Sequence, residues 1–204
     1  MNSYILGSHN SWSYLKPKKW WMRPFAFVAR CQSKSIVEQY TTYGVRCFDL
    51  RVRWNDDCEM VIAHGLMEYK YTKEMLEADL RWLNAKKDCY IRVLHEVRNR
   101  KQYTLFSVTH FKFFCESLVK KYPNITFWCG RNLCNWQYDY QFNYADTPCQ
   151  SEPTCTEKYS SVCPPKYLDD WFPWLYAKLN NAKIRRKGTT DDILMVDFVN
   201  HFYR

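Results

Sequence analysis

The chain has 204 residues, 47% of them hydrophobic and 18% aromatic, with only 5 glycines and 8 prolines. Those numbers exclude a disordered polypeptide and supply one sizeable core, so a single domain over 1–204 is expected. The net charge of +9 calls for an anionic partner: a phosphorylated small substrate, an anionic membrane surface or a nucleic acid.

The first candidate strand is Tyr4–Ser8 in "SYILGSHNSW", with His9 and Asn10 at its tip. A basic, aromatic loop follows, "LKPKKWWMRPF". Ser35–Tyr43 reads as a helix stopped by Gly44. Val45–Val52 and Met60–His64 are rich in β-branched and aromatic residues and read as strands. Thr72–Ala85 is a helix, with Thr72 as N-cap and Met75, Leu76, Leu80 and Leu83 on one face. Tyr90–Glu96 is the next strand. Thr109–Lys121 is a helix with Phe111, Phe114, Leu118 and Val119 at helical spacing, and Ile125–Cys129 is a strand. Asn132–Pro165 is polar, tyrosine-rich and cysteine-rich, and reads as a long loop. A helix over Tyr167–Leu179 and a strand over Ile193–Val199 complete the order.

Strands alternating with helices imply an α/β protein with a mainly parallel sheet, either open or closed into a (β/α) barrel. A full barrel takes about 250 residues, so a barrel here has to be trimmed. No stretch approaches the ~18 uninterrupted apolar residues of a membrane span. No charged-then-apolar export signal opens the chain, so a cytoplasmic location is expected. The ten cysteines contain no C-x-x-C pair, and in a reducing compartment they are expected to be thiols packed as small hydrophobes.

Functional groups of α/β folds gather at the C-terminal ends of the strands. Here His9, His64 and Glu96 fall at those ends, and the last candidate strand contains Asp197. In "VRCFDLRVRW", Asp49, Arg51 and Arg53 alternate with Phe48, Leu50 and Val52. Period-2 geometry puts the charges on one strand face, which a buried sheet tolerates only where it lines a polar site.

"LGSHNSW", "EQYTTYGVRCFDLRVRW" and "VIAHG" together resemble the phosphatidylinositol-specific phospholipase C X-domain family. Its pattern is a strand ending in Ser-His-Asn or Thr-His-Asp, then Gln, Gly-[Val/Ile]-Arg-x-[apolar]-Asp-[apolar]-Arg, and then His-Gly. Gln39, Gly44, Arg46, Asp49, Arg51, His64 and Gly65 fall in register. The likeness covers the first third of the chain, with looser agreement at "YIRVLHEV" and "ILMVDFV". It implies a distorted TIM-type barrel and cleavage of the phosphodiester between a phosphoinositol head and diacylglycerol.

By that resemblance His9 is the base and His64 the acid, and Arg51 holds the phosphate. Asp197 orients His9, Asp49 braces Arg51 or His64, and Asn10 and Glu96 bind substrate. Calcium-dependent relatives carry a carboxylate where Arg51 stands, so no metal or other cofactor is expected, although Asn10 is the residue those relatives use as a calcium ligand. Trp20, Trp21, Lys18 and Lys19 are expected to touch an anionic membrane. The partners expected are a phosphoinositide-type lipid or another phosphodiester, with no nucleic acid and a monomeric chain. Two alternatives stand beside this reading: a catalytically idle phosphoinositide-binding module, and a glycerophosphodiesterase-type enzyme, for which the early His-Arg-Gly and Glu-x-Asp pair are absent.

Overall fold

The computed structural model describes residues 4–55, 57–96, 104–129, 171–187 and 193–203, with residues 128, 129, 186 and 187 described by their backbone alone. The expected loop over Asn132–Pro165 lies outside the described residues.

Among the described residues seven strands form one sheet: β1 Ile5–Ser8, β2 Cys47–Trp54, β3 Met60–His64, β4 Met67–Glu68, β5 Cys89–His95, β6 Ile125–Cys129 and β7 Ile193–Val196. β7, β1, β2, β5 and β6 run parallel in that spatial order. β3 turns back antiparallel on the far end of β2, and the short β4 pairs with β3. The sheet is open: among the described residues no pairing closes it into the expected barrel.

The period-2 rule sorts the two faces of this sheet. Phe48, Leu50 and Val52 of β2 and Ile91 and Val93 of β5 face the main core. The alternate residues make the other face. At its N-terminal end Cys47, Ile193 and Met195 form a small apolar cluster against Ile5 and Tyr90. Gly7 belongs there because a Cβ would run into the Met195 sulfur. Two residues further along each strand the same face turns polar: His9 after β1, Asp49 on β2, Arg92 on β5 and Asp197 after β7.

Helices cover the core face. α1 is Ala26–Ala29, entered through a 3-10 turn at Trp20–Phe25. α2 is Ile36–Thr41, opened by a capping box between Ser35 and Glu38. α3 is Lys73–Asn84, capped by the Thr72 hydroxyl and burying Leu76, Leu80 and Leu83. α4 is Leu105–Lys121, packed on β2, β5 and β6. α5 is Pro173–Lys187, packed on β7.

Three sequence expectations are corrected. α4 starts four residues before Thr109, because Thr104 and Ser107 cap each other reciprocally. The helix expected over Tyr167–Leu179 is interrupted at Phe172, and from Pro173 a helix runs on to Lys187, past the expected end; proline suits a first helical turn. Residues 167–170 lie outside the described residues. The strand expected to reach Val199 ends at Val196, where Phe198 turns the chain with φ 45°.

Core-facing His95 stacks on Phe111, with ring centroids 5.1 Å apart, and lies edge-on to Trp54. Burial pushes its imidazole down to about 3. The neutral ring is compatible with the fold, and protonation is not. Stability from this group is complete above the unfolded value of about 6.5 and is lost as pH falls below it, by up to about 1.4 kcal/mol per pH unit. Urea denaturation at pH 7 and pH 4.5 should show a smaller acid loss for His95→Phe than for the natural chain. Equal losses would remove His95 from the account.

Candidate active site

The polar end of the sheet is organised around the Asp49 carboxylate, which is fully buried. Its Oδ2 accepts from Arg51 Nε at 2.8 Å and from the Asn10 backbone N–H at 2.9 Å. Its Oδ1 accepts from Arg92 Nε at 3.2 Å. Burial alone pushes a carboxyl up, but the Arg51 and Arg92 guanidiniums outweigh it and hold Asp49 ionised, well below the carboxylate range. Asp49 therefore holds the Arg51 guanidinium in place.

Arg51 also donates through Nη1 to Glu96 Oε2 at 3.3 Å. Glu96 Oε1 accepts from the Gly65 N–H at 2.8 Å. Gly65 has φ 53° in the turn that follows His64, a conformation that favours glycine. Glu96 thus links the guanidinium to the turn carrying His64. Arg53, next on the same face, is fully buried; it donates to Glu68 at 2.9 Å and to the Gly65 carbonyl.

His9 follows β1 directly. The parallel pairing of β1 with β7 brings Asp197 beside it, and His9 Nδ1 lies 2.7 Å from Asp197 Oδ1. A ring nitrogen that close to a carboxylate is the protonated one, so Nε2 carries the lone pair. That Nε2 is 3.9 Å from Asp49 Oδ2. Gln32 Nε2 ties the His9 carbonyl to the Val196 carbonyl, at 3.1 and 2.8 Å, and so fixes the strand ends together.

His64 faces His9 edge-on, with ring centroids 5.6 Å apart and planes at 89°. Its Nδ1 lies 3.1 Å from the Ala29 carbonyl, which also accepts from the Tyr69 hydroxyl at 2.8 Å. The carbonyl makes Nδ1 the protonated nitrogen of the neutral ring. Burial and the Arg51 charge push both imidazoles down, His9 well below the ordinary value; Asp49 pulls back on His9, and Glu96 pulls back on His64.

The structure therefore brings His9, Asn10, Asp49, Arg51, His64, Glu96 and Asp197 to one end of the sheet. Asn10 sits in the left-handed region at φ 44°, where asparagine is tolerated. Its side chain is fully buried and lies beside the Tyr69 hydroxyl. Arg92, Gln32, Ala29 and Cys31 are additions to the sequence reading. Arg92 carried a usable signal: an arginine inside an apolar strand, which the β2–β5 register sets opposite Asp49.

The basic loop runs beside this site. Lys18 N–H donates to the Glu68 carbonyl at 2.7 Å and Lys70 N–H to the Lys16 carbonyl at 2.7 Å, clamping the loop to β4. Trp20 and Trp21 are 72% and 52% exposed, which excludes packing beneath a helix. Lys19 lies over the Trp21 ring, and Lys18 reaches Glu59 at 3.6 Å. Among the described residues no helix is long and apolar enough to cross a membrane.

No family model matches this chain, and no curated protein matches it. Solved structures do. The phosphatidylinositol-specific phospholipase C of Listeria monocytogenes superposes with a TM-score of 0.60 at 16% identity, over 100% of this chain and 92% of that one. A mutant of the Staphylococcus aureus phosphatidylinositol-specific phospholipase C gives 0.60 at 14% identity, over 97% of this chain and 86% of that one. A Staphylococcus aureus structure concerned with modulation of that enzyme's membrane binding gives 0.52 at 14%, over 95% and 85%. The chain shares the fold of these bacterial phospholipases C.

The Arg51 charge presses on both imidazoles, so its removal should release both. In Arg51→Met, the His9 and His64 ring signals should titrate at higher pH than in the natural chain, read by nitrogen-15 NMR of the imidazoles. Unchanged titrations would place Arg51 outside their field.

Proposed function

We propose that this chain is a phosphodiesterase of the phospholipase C type, acting as a monomer on a phosphoinositide-type lipid. The observation that carries the proposal is the pair of imidazoles, 5.6 Å apart at right angles, with the Arg51 guanidinium held beside them by Asp49 and Glu96. A binding module needs charge, but it has no use for a paired base and acid. The shared fold supports reading the open sheet as the arc of a trimmed barrel.

The proton inventory fits this reading. His9, oriented through Nδ1 by Asp197, takes the proton of the substrate hydroxyl next to the phosphate. That hydroxyl oxygen bonds to phosphorus, and the bond from phosphorus to the glycerol oxygen breaks. His64, as imidazolium, gives its proton to the leaving alkoxide. The products are a cyclic inositol phosphate and diacylglycerol. The nucleophile is part of the substrate, so its effective molarity reaches about 10^5 M or more. Arg51 binds the non-bridging oxygens and offsets the charge that grows on them. Asn10 and Glu96 serve as the substrate-side polar groups, with Glu96 also steadying the His64 turn.

Arg51 is also the basis for a metal-independent reaction. Its cation already lies between the Asp49 and Glu96 carboxylates, where a calcium ion would need those oxygens for itself. Trp20, Trp21, Lys18 and Lys19 form the contact with an anionic membrane, where exposed indoles and lysines gain most. In this proposal the protein is cytoplasmic and works at a membrane surface.

Incubation with phosphatidylinositol vesicles in EDTA should release cyclic inositol phosphate. His9→Ala and His64→Ala should each lower kcat about 10^2- to 10^4-fold. Lipid binding with no turnover in the natural chain would favour the idle module instead. The base must be neutral and the acid protonated, and both imidazoles are pushed down. The pH profile of kcat/KM should therefore be bell-shaped with its optimum on the acid side of about 6.5, the reference histidine value. An optimum above neutrality would contradict the assignment. Trp20→Ala with Trp21→Ala should weaken sedimentation with anionic vesicles about tenfold or more, from lost apolar burial, while turnover of a water-soluble substrate persists.

A further inference from the structure

The site holds one more group that the acid–base reading does not use. Cys31 is buried, and its Sγ lies 3.8 Å from His64 Nδ1. Its position is built: the Cys31 and Gln32 N–H groups both donate to the Ser13 hydroxyl, at 3.0 and 2.9 Å, and the Cys31 carbonyl accepts from the Phe198 N–H. One donor atom from each of His9, Cys31 and His64 lies within 4.8 Å of the other two.

We propose that His9, Cys31 and His64 form a three-ligand site for a soft divalent cation, zinc above all, and that its occupancy switches the acid–base pair off. A tetrahedral zinc sets its donors about 3.3–3.7 Å apart, given bonds of about 2.0–2.3 Å to nitrogen and sulfur. His9 binds through Nε2, its Nδ1 staying on Asp197; the His64 nitrogen that faces Cys31 is Nδ1, so ligation moves its proton to Nε2 and replaces the contact with the Ala29 carbonyl. Two nitrogens and a thiolate select zinc over calcium, which takes six or more oxygens. The His9–Asp197 contact at 2.7 Å is the carboxylate–histidine pairing that orients a metal-binding imidazole. The Arg51 charge opposes a cation here, but Arg51 is paired with Asp49 and Glu96, and Asp197 and the metal-bound thiolate add negative charge. Binding releases the thiol proton, so zinc affinity rises with pH.

The effect on turnover rests on the phosphodiesterase reading, whereas the metal site does not. A bound zinc occupies one lone pair on each imidazole, leaving His9 no place for the substrate proton and keeping His64 from becoming the imidazolium that protonates the leaving alkoxide.

Cobalt(II) is the probe, because cobalt–thiolate absorption in the near ultraviolet reports the site without any substrate. It is titrated into the whole chain and into Cys31→Ser, His64→Gln and Asp197→Asn, each checked for folding by circular dichroism. The natural chain should show one equivalent more of thiolate absorption than Cys31→Ser or His64→Gln, even if other cysteines bind cobalt. Competing zinc should remove that difference. Asp197→Asn should weaken zinc about 10- to 100-fold. Identical cobalt spectra for the natural chain, Cys31→Ser and His64→Gln would overturn the site. A cobalt difference with no phosphatidylinositol cleavage in EDTA would leave the metal site standing and remove the phosphodiesterase reading; cleavage with no cobalt difference would do the reverse.

Discussion

The buried carboxylate of Asp49 is the constraint on which the rest of the site depends. It accepts from two guanidiniums and a backbone N–H, and it lies on the sheet face that carries the reactive groups. Without it, Arg51 and Arg92 would be buried with too little negative charge, which costs several kcal/mol. With it, Arg51 has a fixed direction and reaches on to Glu96, and Glu96 in turn holds the N–H of the turn after His64. One anion thus sets the position of the Arg51 guanidinium and, through two further bonds, that of an imidazole on another strand. Arg53 with Glu68 and His9 with Asp197 complete a face on which each described buried charge has an opposite neighbour.

The same geometry accounts for the chemistry available. Burial and the neighbouring Arg51 charge lower the proton affinity of both imidazoles, so the neutral ring of His9 is favoured. The Asp197 contact fixes which nitrogen is basic, and the Ala29 carbonyl does the same for His64. Both orienting groups come from chain far from the histidines they serve, and the sheet order supplies the proximity.

Much of the site was legible because it sits where strands end. His9, His64, Glu96 and the alternation of Asp49, Arg51 and Arg53 are local signals that need only a period of two. Asp197 depended on β7 lying beside β1, a pairing that no local pattern dictates. Arg92 required the register between β2 and β5, which sequence spacing leaves open. Ala29 and Cys31 were missed for a different reason. The segment Trp20–Ala29 has no side-chain cap at either of its helical starts and a proline inside, so it lacks the start signals that identify a helix. The break at Phe172 has no signal in the apolar spacing, which continues smoothly across "DDWFPWL". Barrel closure was the finer expectation from resemblance, and the described strands form an open sheet.

Denaturant unfolding of Asp49→Asn tests the central claim most directly. The amide keeps the shape and removes the charge that holds the two guanidiniums. The account predicts a stability loss of about 3 kcal/mol or more at neutral pH. A variant as stable as the natural chain to within about 0.5 kcal/mol would contradict it, since the arginines would then be held by something other than this carboxylate.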